Sequence, residues 1–342
     1  MSLNPAIDQP QVRRFEVESP PEPSLLASAR RRVLKGIEQA LTDWTIRRAL
    51  HLDATDPEGL IRHIIRSRGT YAALSRPNLS LAQADAMRIS GPHGTLPAPP
   101  TPAEWFAPLR GEPRGFVLYV HGGSFMAERS PRITSLIGRF AAAANARVYS
   151  PSYRLAPEHP CPAAIEDIEA AFAWLSRTWP DEPVVGVGES AGAAILLAAA
   201  QRMKARGEAM PRGLMLLSPW IDLSLQGRSM ALASLSGVAT REMHSMALIA
   251  RLYLRDLSAT DPVASPLFGD MAGLPPMLIH ASRSDMLYDD AVRLADKVRD
   301  ANGDLTLRLW TEENHVWERT SVPAARQSIQ LGAEFIRERL AR

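Results

Sequence analysis

Of the 342 residues only one, Cys161, is a cysteine. That excludes an intrachain disulfide and a metal site built from cysteines, and leaves the thiol as a packed side chain rather than a nucleophile. Neither sign of charge is in excess: 39 lysines and arginines against 37 acids leave +2, so nothing calls for nucleic acid or an anionic membrane as a partner. The runs Arg30-Arg31-Arg32 and Arg47-Arg48 read as solvated helix faces. Also missing is the continuous apolar stretch of a secretory leader in MSLNPAIDQPQVRRFEVESPPEPS, and no later run is long and uncharged enough to cross a bilayer. The expectation is a cytoplasmic protein, with homodimerisation left open. No internal repeat is found.

What is present is an ordinary supply of apolar residues, 46%, enough for one large α/β domain or two smaller ones. One stretch organises the rest. Val184 to Ala200 reads VVGVGESAGAAILLAAA: a short β-like run, then Gly188-Glu189-Ser190-Ala191-Gly192, then an Ala/Leu-rich helix former. Strand, sharp turn and helix form the setting that a Gly-x-Ser-x-Gly nucleophile elbow requires, with glycines letting neighbouring backbones approach while the serine is held exposed. An ordinary strand-to-helix connection with a small residue at the turn is the plainer reading, and the flanking context weighs against it. Free amides and the dipole at the helix start favour developing negative charge beside the serine.

Read in order, residues 1–23 mix proline and charge without a period, which predicts a flexible N-terminal arm. Leu34, Ile37, Leu41 and Trp44 are helically spaced, and Leu60, Ile61, Ile64 and Ile65 suggest a second helix after Asp56-Pro57. Residues 24–90 are therefore expected to form N-terminal cap helices. The many prolines between residues 91 and 113 predict a connector without regular structure. From Phe116 the chain alternates, with strands expected at Phe116 to Val120, Arg147 to Ser150, Val184 to Val187, Leu214 to Leu217, Met277 to Ala281 and Leu305 to Trp310. Helices are expected at Ile133 to Ala144, Ala163 to Arg177, Ala191 to Arg206, Asp289 to Ala301 and Ala324 to Leu340. That alternation is the signature of a parallel α/β sheet. The interval from Ile221 to Pro275 is too long for one crossover, and Met243, Met246, Leu248, Ile249 and Leu252 imply an extra helix there.

A serine hydroxyl needs a base, a group that orients the base, and amide donors for an oxyanion. Asp285 follows the strand ending near Ala281, and His315 follows the last strand, both on the edge where open α/β sheets bind ligands. The order Ser190, Asp285, His315 is the one used on an α/β-hydrolase sheet. Asp289 and Asp290 are rival acids, but their place at a helix start explains them as carboxylates complementing the dipole. Among the histidines, His280 sits inside a strand, His51, His63, His93 and His244 lie outside the α/β pattern, and His159 does not follow a late strand. The loop His121-Gly122-Gly123-Ser124-Phe125 after the first strong strand offers donors at Gly122, Gly123 and Ser124, joined by Ala191 after the nucleophile.

Together, His121-Gly122-Gly123, Tyr153-Arg154-Leu155-Ala156-Pro157-Glu158, the elbow, Ser218-Pro219-Trp220, and Asp285 with His315 resemble the hormone-sensitive-lipase-like esterases, a branch of the α/β-hydrolase fold. The resemblance runs from about Gly115 to the C-terminus. It implies an α/β fold with a mostly parallel central sheet, helices on both faces and a helical cap. The cap would combine the N-terminal helices with an insertion at about 222–265, inside a catalytic domain of residues 91–342. It also implies a serine carboxylic-ester hydrolase with an acyl-enzyme intermediate, no metal or organic cofactor, and oxyanion amides from Gly123, Ser124 and Ala191. Two departures stand out. Ser124 replaces a family glycine, and Val316 with Trp317 follows the histidine where the family often has glycine. Phe125, Trp220, Leu287, Val316 and Trp317 are expected to give the pocket apolar walls, favouring short to medium acyl groups without charge. A lactone, amide or N-acetyl substrate would use the same chemistry. A non-catalytic binding protein on this scaffold would be expected to lack a triad member, and none is missing here.

Overall fold

The computed structural model describes residues 11–19, 51, 56–74, 86–89, 98–234 and 239–342. The described strands are β1 (Val12–Val17), β2 (Ala86–Ile89), β3 (Ala103–Pro108), β4 (Phe116–Val120), β5 (Arg147–Pro151), β6 (Val184–Glu189), β7 (Leu214–Leu217), β8 (Met277–Ser282) and β9 (Leu305–Trp310). They form one sheet in the order β1-β9-β8-β7-β6-β4-β5-β3-β2. Every pairing is parallel except β2 with β3 and β3 with β5. Strands β4, β6, β7 and β8 are buried along their whole length, as expected of a parallel sheet covered on both faces.

Alternation along β4 divides the core. Phe116, Leu118 and Val120 pack toward α3 (Ala163–Thr178), α4 (Ala191–Ala205) and α7 (Tyr288–Asp300). Val117 and Tyr119 pack toward α2 (Pro131–Ala144) and α8 (Pro323–Leu340). Local chemistry sets the helix ends. Helix α2 opens with Ser130 accepting from the Ile133 amide and Pro131 in the first turn, and closes on Asn145 in the left-handed region, a proper start and stop. Helix α4 can lie close to the sheet because Gly186 leaves room for Leu196, whose Cδ1 would stand 2.9 Å from an added Cβ.

The expected six strands and five helices of the α/β region are found within one or two residues of their predicted limits. Three strands are additional. Residues 12–17, read as part of a flexible arm, pair in parallel with β9. Ala103–Pro108, inside the proline-rich connector, pairs with β5 and with β2. A β-strand tolerates proline at its ends and edges, which is where Pro102 and Pro108 fall. Packing with the cluster that holds Phe116, Leu118 and Val120 are residues of α1 (Pro57–Leu74), α5 (Arg228–Ser234) and α6 (Ala239–Leu254). Leu60 and Ile64 of α1 pack on Leu248 and Leu252 of α6. The helix expected around Leu34 to Trp44 lies outside the described residues.

Candidate active site

The chain passes from β6 into α4 through Ser190, whose backbone is held at φ 53°, ψ −123°. For a residue with a Cβ this conformation costs on the order of 1–3 kcal/mol and survives only where the surroundings over-determine it. They do here. The Ser190 amide donates to the Leu217 carbonyl at 2.8 Å, and its own carbonyl accepts from the Trp220 and Ala193 amides. The flanking glycines are obligatory for contact: a Cβ on Gly192 would lie 2.2 Å from the Val120 carbonyl oxygen, and one on Gly188 would lie 2.8 Å from the Ala193 Cα.

His315 Nε2 stands 2.9 Å from Ser190 Oγ, and His315 Nδ1 stands 2.8 Å from Asp285 Oδ2. Thus three residues from the ends of β6, β8 and β9 form one hydrogen-bonded line. Asp285 is buried and its Oδ1 accepts the Leu287 amide at 3.0 Å. Burial alone would raise its carboxyl. The charge and hydrogen bond of His315, with the Leu287 amide and the Ser218 hydroxyl, outweigh that and hold it below the usual value. The rival acids are occupied elsewhere. Asp289 accepts the Ser229 amide at the start of α5, and Asp290 accepts the Ile221 and Asp222 amides where the cap segment begins. His280 lies in the core, hydrogen-bonded to Ser328 Oγ, and burial pulls its imidazole down to about 3. Cys161 is buried and its thiol is pushed up to about 11, leaving it no nucleophilic role.

Facing the serine, the loop after β4 is fixed at both edges of its first peptide. Tyr153 donates to the His121 carbonyl at 2.7 Å while stacking on the His121 ring, and the Gly122 amide donates to Glu189 Oε1 at 3.2 Å. Gly122 was expected among the oxyanion donors, and its amide is spent on Glu189. Gly123, Ser124 and Ala191 have no amide partner among the described residues. Ser124 and Phe125 adopt φ values of 54° and 61°, and Gly123 adopts 129°. The loop therefore pays backbone strain at the position where the resemblance expects glycine.

The expected apolar walls divide. Phe125 stacks on Tyr253 of α6 at 3.9 Å between centroids and lies beside Trp220, and both join the cluster that holds Leu287 and the cap residues Met230 and Leu254. Val316 and Trp317 do not narrow that space. Val316 packs with α2 and α8 on the opposite face, and Trp317 packs on Trp310, Val17 and Ala324. The cause is backbone geometry: Val316 takes a left-handed φ of 46°, turning the chain away after His315. Its amide is caught by Ser218 Oγ at 3.1 Å. Ser218 itself, at φ 41°, was quoted in the sequence only as part of a motif; its position directly after β7, between the elbow and the acid, is the signal that could have marked it.

Among known proteins, residues 117–319 match the family model described as alpha/beta hydrolase fold. An acetyl-hydrolase of Streptomyces hygroscopicus is 35% identical over 245 residues, 69% of this chain and 79% of its own. Esterase LipU of Mycobacterium tuberculosis is 31% identical over 278 residues, 78% of this chain and 86% of its own. A crystal structure of an esterase from the bacterial hormone-sensitive lipase family superposes with TM-score 0.72 at 30% identity, covering 87% of this chain and 97% of the other.

Proposed function

Because the chain belongs to the α/β-hydrolase fold family, in its hormone-sensitive-lipase-like branch, we propose that it is a serine carboxylic-ester hydrolase in which Ser190, His315 and Asp285 carry the reaction. The observation that supports this best is the unbroken line of hydrogen bonds, 2.9 Å and 2.8 Å, from hydroxyl to imidazole to buried carboxylate. His315 Nε2 takes the proton as Ser190 Oγ attacks the ester carbonyl. Asp285 keeps the other ring proton on Nδ1 and stabilises the imidazolium. Negative charge developing on the carbonyl oxygen is met by the amides of Gly123, Ser124 and Ala191. The imidazolium returns its proton to the departing alcohol, leaving an acyl-serine. Water then attacks with the same base, and the acid is released.

Substrates are esters with short to medium uncharged acyl groups. Supporting this are the buried apolar cluster that joins Phe125, Trp220 and Leu287 to cap residues and the acetyl-hydrolase and esterase names of the relatives. No helix among the described residues is long and apolar enough to cross a membrane. Cytoplasmic residence and assembly as a homodimer belong to the same proposal, to be tested by fractionation and sedimentation. The decisive experiment is Ser190→Ala. Turnover of a chromogenic ester should fall by several orders of magnitude with the fold retained, and a serine-directed phosphonate should no longer label the protein. Unchanged turnover would reject the assignment.

A further inference from the structure

We propose that Glu189 and Arg319 form a positioning pair that fixes the oxyanion loop against both the nucleophile turn and the histidine turn. The proposal rests on the reading of Ser190 as nucleophile and of the Gly123 and Ser124 amides as oxyanion donors.

Strand β6 is apolar from Val184 to Gly188 and ends on Glu189, which is fully buried immediately before the serine. Burying a carboxylate costs several kcal/mol unless it is paired, and an apolar residue in the same place is commonly as stable or more so. Stability therefore gives no reason for an acid here. Its contacts do. Oε1 accepts the Gly122 amide at 3.2 Å, and Oε2 accepts Arg319 Nε at 2.8 Å. Arg319 closes the short helical turn Trp317–Arg319 that follows His315. A Cβ built on Gly122 would fall 2.7 Å from Arg319 Nη2, 2.8 Å from the Glu189 carbonyl oxygen and 3.1 Å from Ser190 Cβ. The guanidinium thus backs directly onto the loop while the loop touches the nucleophile. One carboxylate holds three segments, each carrying a part of the site.

The consequence is directional. The charge-assisted bond to the Gly122 amide sets the first peptide plane of the loop. His121 Nδ1, 2.7 Å from the Gly122 carbonyl, holds the next plane, whose other end is the Gly123 N–H. Loss of the carboxylate lets the planes rotate, and the donors miss the developing oxyanion. Errors of that kind cost activity steeply, because a misplacement of about 1 Å is worth up to about a hundredfold. Both residues would act through the loop and not on the reacting atoms.

The test uses the whole 342-residue chain and the variants Glu189→Gln, Arg319→Met and both together. The double variant leaves no unpaired charge behind. Measured quantities are kcat and KM on a chromogenic ester, inhibition by an alkyl trifluoromethyl ketone whose serine adduct carries the oxyanion, and thermal unfolding. Each single variant should lower kcat by about tenfold to a hundredfold, weaken the ketone by a similar factor and leave KM within about threefold. The double variant should resemble the worse single. Arg319→Lys, which keeps the charge without the planar fork, should fall between wild type and Arg319→Met, and serves if the methionine variant does not fold. Wild-type kcat and ketone affinity in folded variants would overturn the proposal, as would a kcat loss that merely tracks the unfolded fraction. If instead phosphonate fails to label Ser190 in the unmodified protein, the nucleophile assignment fails, not the pair.

Discussion

Replacing Asp285 by asparagine changes one atom and should remove the base. Oδ1 of Asp285 accepts the Leu287 amide at 3.0 Å, while Oδ2 faces His315 Nδ1 at 2.8 Å. An asparagine has one acceptor oxygen and one donor nitrogen, so its oxygen stays with the Leu287 amide and its NH2 turns to the ring. A donor opposite Nδ1 forces that nitrogen to accept, which places the ring proton on Nε2. Nε2 then donates across the 2.9 Å to Ser190 Oγ and cannot take the serine proton. In a serine-protease triad this tautomer inversion lowers kcat by about 10⁴-fold, roughly 5 kcal/mol of barrier, and a similar loss is expected here with KM little changed. Initial rates on a chromogenic ester, normalised to protein folded by circular dichroism, give the comparison. An Asp285→Asn enzyme within about tenfold of wild type, with the large loss carried by Asp289→Asn or Asp290→Asn, would exclude Asp285 as the partner that sets the His315 tautomer.

Burial pushes the Glu318 carboxyl up to about 7 from an ordinary 4.5, with Ser328 opposing and the Glu189 charge adding to the rise. A folded value above the unfolded one means stability falls as pH rises between about 4.5 and 7, by on the order of 3 kcal/mol in full. Glu318→Gln should remove that loss, gaining stability at about pH 8 and little at about pH 4, as read by urea unfolding; parallel pH profiles for the two proteins would contradict it. Gly192→Ala puts a methyl against the Val120 and His121 carbonyl oxygens at 2.2 and 2.5 Å. It should destabilise by about 3 kcal/mol or more and abolish turnover, whereas wild-type activity would show the elbow to be built otherwise. Arg68 of α1 donates to the Met126 and Ala156 carbonyls and to both oxygens of Glu158. Arg68→Met should therefore raise KM several-fold and speed proteolysis within residues 57–74, and no change in either would separate α1 from the site.

The α/β core was legible because its signals are local. A run such as Val184 to Val187 has no other stable reading between a glycine turn and an apolar helix, and burial on both faces makes each central strand nearly continuous in apolar residues. Strand β1 failed that test for a physical cause. VRRFEV is largely solvent-exposed at the sheet margin, with only Val17 buried, so it carries charge on both faces and no strong alternation. Its place is decided by pairing with β9, a partner nearly three hundred residues away in sequence. For the site, the juxtaposition of Ser190, His315 and Asp285 was legible from strand ends. The places of Val316 and Trp317 were not, since whether they face the cap depends on the sign of φ at Val316, and a β-branched residue gives no warning of a left-handed backbone.

That left-handed turn also explains why β7 matters to a site whose three named residues it does not carry. Strand β7 lies between β6, which leads into Ser190, and β8, which leads to Asp285. Its exit has to make room for His315 arriving from β9 beyond them. Ser218 does so at φ 41°, with its amide bound to the His280 carbonyl of β8 and its hydroxyl accepting the Val316 amide. The same hydroxyl helps hold the Asp285 carboxyl low, so one side chain contacts both the residue after His315 and the carboxylate behind it. Strain at Ser190, Ser218 and Val316 is thus arranged around a single crossing, and each strained residue is tied by a hydrogen bond to a neighbouring strand or loop. A site whose geometry is set this way depends on sheet order as much as on the three side chains, because β7 is tied to both β6 and β8 and its displacement would unfasten both.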